Sequence, residues 1–101
     1  MSNADENDLV TLKCSIQSAL VDQVHQNLVA ITCGISGRHI TIAGYFRGEV
    51  SEDDLELVRT LGTEVLADFP EEYQITEIAR SAEEGPLERL DFWAFKRSEL
   101  A

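Results

Sequence analysis

Residues 28–46 read LVAITCGISGRHITIAGYF, and the fold is decided by what this stretch becomes. Two runs rich in apolar and β-branched residues, 28–36 and 39–46, flank Gly37-Arg38. Side chains of that kind fit a pleated, half-buried surface, and a glycine between two such runs supplies the turn. The stretch therefore reads as a β-hairpin. Alternation along its first strand places Val29, Ile31, Cys33 and Ile35 on one face.

Upstream of the hairpin, Leu9, Leu12, Ile16, Leu20 and Val24 recur at spacings of three and four, the stripe of an amphipathic helix, with Asp8 placed to cap it. Downstream, Ser51-Glu52-Asp53-Asp54 has the form of a capping box, with a shorter acid in its last position. A second helix follows on Leu55, Val58, Leu61, Val65, Leu66 and Phe69, and Pro70 stops it. Gly62 weakens the middle of that helix and allows close approach to a neighbour. Residues 73–79 (YQITEIA) and 90–96 (LDFWAFK) read as two further strands around an acidic Gly-Pro loop. The element order is α-β-β-α-β-β. Two hairpins separated by a helix imply an α+β domain of two layers: a four-stranded, mostly antiparallel sheet with both helices on one face. A chain of 101 residues supports one such domain. Its expected extent is 9–97, with a frayed tail at 1–8 and another at 98–101.

Charge narrows the function. The formal net charge is −11, and residues 49–91 alone carry fourteen acids against three arginines, which accounts for all of it. A field of that sign repels phosphate, so neither nucleic acid nor an anionic membrane is an expected partner; a basic protein is. No apolar run approaches the roughly 20 residues of a membrane span. Cys14 and Cys33 are too sparse for a disulfide framework and read as reduced thiols, which suits a cytoplasmic protein. Together with His25 and His39 they lack metal-site spacing, and neither a phosphate loop, a nucleophile elbow nor a calcium loop occurs. The expectation is a non-catalytic protein with no cofactor.

Capping explains Asp53 and Asp54, and acids in a first turn also suit the helix dipole. Neither reason extends to Glu49, Glu56, Glu64, Asp68, Glu71, Glu72 and Glu77. A charge run is ordinarily the solvated face of a helix. This one is set apart by its sign. Like charges three or four residues apart, as in Glu52 with Glu56 or Glu64 with Asp68, repel by a few tenths of a kcal/mol, and Arg59 is the sole cation inside the helix. The candidate partner-binding residues are Glu49, Glu52, Asp53, Glu56, Glu64, Asp68, Glu71 and Glu72. In the last strand, Leu90, Phe92 and Ala94 alternate with Asp91, Trp93 and Phe95. The apolar set belongs against the helices. Trp93 and Phe95, joined by Tyr45, then look out from the open face, where an aromatic cluster serves either as a packed patch or as an interface anchor. Tyr45 and Trp93 complete the candidate site, and the same strand offers a route to a homodimer.

The combination of a short first helix, a hairpin ending in Tyr45-Phe46-Arg47-Gly48-Glu49, the Ser51-Glu52-Asp53-Asp54 box and Thr63-Glu64-Val65-Leu66-Ala67-Asp68-Phe69-Pro70 resembles small acidic immunity proteins of bacterial contact-dependent growth inhibition and related polymorphic toxin systems. The resemblance spans roughly residues 9–97. It implies a cytoplasmic protein that binds and neutralises a cognate toxin domain, often a basic nuclease.

Overall fold

The structure, a computed structural model, describes residues 6–97. Six elements follow one another: α1 (Glu6–Leu20), β1 (Leu28–Ser36), β2 (His39–Phe46), α2 (Glu52–Leu66), β3 (Gln74–Ser81) and β4 (Phe92–Lys96). Residues 1–5 and 98–101 of the expected tails lie outside the described residues. Glu6, Asn7 and Asp8 already belong to α1, so Asp8 is a first-turn residue and not the cap. Its carboxylate instead accepts a 2.7 Å hydrogen bond from the Tyr73 hydroxyl beyond α2. That bond, followed by burial, raises the phenol above its usual range.

The hairpin forms as expected. β1 and β2 pair antiparallel from Ser36–His39 outward, and Gly37 takes φ 59°, the left-handed conformation that a tight turn requires. The second hairpin does not form. The sheet order is β3-β2-β1-β4, with β3 parallel to β2 and β4 antiparallel to β1. The two last strands are thus its opposite edges, and the sheet is mixed. Length explains the difference. The hairpin strands are joined by two residues, whereas ten separate Ser81 from Phe92, enough to cross three strand spacings of about 4.8 Å each. α2, for its part, carries the chain from the end of β2 back to begin β3 alongside it, the usual device for a parallel pair.

Both helices lie on one face. α1 packs over β1 and β4, α2 over β3 and β2, and the helices also touch each other. Leu12, Ile16 and Leu20 of α1 meet Leu57, Val58, Leu61 and Val65 of α2 over Ile31, Cys33, Ile40, Ile42 and Phe46. Burial pushes the Cys33 thiol up to about 12. A smaller cluster on the other face joins Val29, Ala30 and Tyr45 to Trp93 under Ala82 and Leu87 of the long loop.

Two irregularities reassign side chains. The β1–β2 register slips between Leu28 and Ala30, so Val29 turns away from the helices while Ile31, Cys33 and Ile35 face them. The β1–β4 register slips between Ile31 and Thr32, with Phe95 opposite Ile31 and Trp93 opposite Thr32. Ala94 is the extra residue, and Phe95 consequently joins Phe92 and Ala94 on the helix side. Strict alternation cannot anticipate a bulge. Of the two β4 residues expected to look outward only Trp93 does so, and Tyr45 joins it there.

A candidate protein-binding face

Ser51 begins α2 with both halves of the capping box: its Oγ accepts from the Asp54 amide at 3.1 Å, and Asp54 Oδ2 accepts from the Ser51 amide at 3.0 Å. Asp54 is fully buried, and its other oxygen faces His25 Nε2 at 3.7 Å without a hydrogen bond. Asp54 therefore serves the fold. Other acids of the 49–91 stretch are similarly engaged. Asp68 accepts from Ser15 Oγ at 2.6 Å, tying the turn after α2 to α1; Asp91 accepts from the Ile35 amide at 2.9 Å, and Glu83 from the Gly48 amide at 3.1 Å.

The remaining candidates form a surface. Glu52, Asp53, Glu56 and Glu64 are all exposed, and at about 100° per residue they fall within about 120° of one another around the helix. Glu49, Glu71 and Glu72 are exposed in the loops at either end of α2. Arg59 lies on the same outer side, 3.9 Å from Glu56, and is the one cation on α2. Asp68 sits at the margin, held to α1.

The aromatic candidates are elsewhere. Tyr45 is only 7% exposed, sealed under the long loop, where its hydroxyl accepts from the Glu88 amide at 3.2 Å and donates to the Glu88 carbonyl at 3.3 Å. Trp93 is half-buried beside it, ring centroids 6.4 Å apart, with the Lys96 ammonium 4.8 Å from the indole centroid. The sheet lies between Trp93 and α2, so the structure puts the acids of α2 and the tryptophan on opposite sides of it. What the structure does place next to the acidic stripe is a groove between α2 and β3, about 490 Å³ in volume, walled by Leu66, Phe69, Tyr73 and Ile75 with Glu77 at one end. Sequence reading counted Glu77 among the unexplained acids but left it out of the candidate site. The signal was present in YQITEIA, where period two puts Glu77 in one row with Ile75 and Ala79.

Among the described residues no three His, Cys, Asp or Glu side chains come together as a metal site, and no helix is long and apolar enough to cross a membrane. Against known proteins, residues 10–99 match the family described as MafI2 immunity protein. This chain belongs to the MafI2 immunity protein family. The match spans nearly the whole described fold, so the toxin-neutralising role of an immunity protein, and with it a cognate toxin as partner, attaches to this domain as a unit. No curated protein matches the chain.

Proposed function

We propose that the chain neutralises its toxin by stoichiometric binding, without catalysis, in the cytoplasm of the producing bacterium, and that the toxin is a basic, nuclease-type domain of a contact-dependent or related polymorphic system held against the outer face of α2. The observation that carries this reading is the stripe of Glu52, Asp53, Glu56 and Glu64, exposed and balanced on the helix by Arg59 alone. Glu49, Glu71 and Glu72 extend the negative field at both ends, and opposite charges accelerate encounter and fix orientation. A nuclease domain carries a positive surface for its own substrate, so a protein that covers that surface with carboxylates blocks the substrate's approach.

Reversal of Glu52, Asp53, Glu56 and Glu64 to Lys tests the reading against the cognate toxin domain. Association should slow by an order of magnitude or more and lose its salt dependence, with the fold intact. Unchanged association would refute it. The alternative of a homodimer through the last strand has weaker support, because bulged Ala94 interrupts β4 and its carbonyl is already taken by Gln17 of α1 at 2.8 Å.

A further inference from the structure

We infer that the groove between α2 and β3 anchors a cationic side chain, a lysine or arginine projecting from an exposed segment of the toxin domain; this rests on the reading that the acidic face of α2 meets a basic toxin.

The residues make the case in order. Ile75 and Ala79 of β3 turn toward the helices and pack on the main core. Glu77 shares their row, a register position that in an ordinary edge strand would be apolar. Room for it exists because residue 62 of α2 is a glycine: a Cβ there would collide with the Glu77 carboxyl group. The carboxylate thus lies along bare helix backbone although Glu77 as a whole stays exposed, and the burial it does have raises its proton affinity while Arg59 opposes that shift. Neither a hydrogen bond nor a close ion pair engages Glu77 among the described residues; the Arg59 guanidinium is 3.9 Å from Glu56 instead.

A carboxylate laid against bare helix backbone at the end of an apolar trough suits one kind of ligand. Lysine and arginine lay their methylene stems along apolar surface and carry the charge at the tip. Leu66, Phe69, Tyr73 and Ile75 offer the walls for the stem, Glu77 the counter-ion, and Glu71 a second carboxylate among the lining residues. A purely apolar side chain would bury Glu77 further without a partner, and an anion would be repelled. The rival account is that Glu77 guards the free edge of β3 against self-pairing, since an inward charge is a known means of blunting an edge strand.

Calorimetric titration of the cognate toxin domain into three proteins separates these accounts: the parent chain, Glu77→Gln and Gly62→Ala. Glu77→Gln keeps the shape and removes the charge. Gly62→Ala keeps the charge but drives the flexible carboxylate off the helix backbone. Both variants should retain the parent thermal transition within a few degrees and weaken binding by about tenfold or more. Parent-like affinity in both would overturn the inference. If Glu77→Gln instead self-associates while binding normally, Glu77 is an edge guard and the inference is wrong. Loss of binding on charge reversal of the outer α2 face, with both groove variants normal, would sink the groove and leave the acidic-face reading standing. A parent chain that fails to bind overturns both.

Discussion

The half of the molecule built on α1 and β4 and the half built on α2 and β3 share a plan, a helix laid across an edge strand of one sheet, yet they treat charge differently. In the α1–β4 half, cations meet rings: Lys13 lies 5.5 Å from the centroid of Phe92, Lys96 4.8 Å from that of Trp93, and Arg97 5.5 Å from that of Phe95. Arg97 also donates to the carbonyls of Leu28 and His25, which fastens the end of β4 to the start of β1. Charge there is spent inside the chain. In the α2–β3 half the fold engages Asp54 and Asp68, and leaves Glu52, Asp53, Glu56 and Glu64 on the outer face with one arginine among them. Unmatched charge on a rigid helix is what an electrostatically guided partner needs.

The comparison breaks first if the halves also differ in how they are held. They share one core, so truncation on either side should cost alike. Leu12→Ala in α1 and Leu61→Ala in α2 each remove a fully buried side chain, and each should lower unfolding free energy by about 2–5 kcal/mol in denaturant melts. A large loss on one side only would mean two weakly coupled units. Phe92→Ala is the next largest. A fully buried phenylalanine would cost about 3–5 kcal/mol. Phe92 is half-buried with Lys13 over its ring, so we expect about 1–3 kcal/mol. Asp54→Ala removes half of the capping box and should cost about 0.5–2 kcal/mol. Outer-face Glu52→Ala, next to it in sequence, should stay within about 0.5 kcal/mol, and that contrast sharpens the division between structural and surface acids.

The smallest effect is chemical. Cys14 is exposed on α1, while the Cys33 thiol is buried with its pKa pushed up to about 12. A thiolate-specific reagent at pH 8 should therefore label one cysteine in the native protein, and the second only after unfolding.

Much of the fold was legible because it rests on local chemistry. The hairpin followed from Gly37 between two apolar runs, and the start of α2 from Ser51 and Asp54 three residues apart. The partners of the last two strands were not legible, since nothing in residues 73–79 or 90–96 says which edge each will take. Nor were the bulges near Val29 and Ala94, which turned Val29 away from the helices and Phe95 toward them. The candidate site divides along the same line. The charge run marked Glu52, Asp53, Glu56 and Glu64 as candidates, and all four are exposed on α2. Whether a carboxylate is committed to the fold depends on residues distant in sequence. Ser15 claims Asp68 across 53 positions, and the long loop closes over Tyr45, 43 positions before Glu88.

The central claim is that the toxin meets the unmatched half. Amide exchange of the chain, alone and with its toxin domain at saturating concentration, tests it most directly. The account predicts new protection along α2 and in the 67–77 segment, with α1 and β4 exchanging as in the unbound protein. Protection centred on β4 and the loop before it, with α2 unchanged, would contradict it.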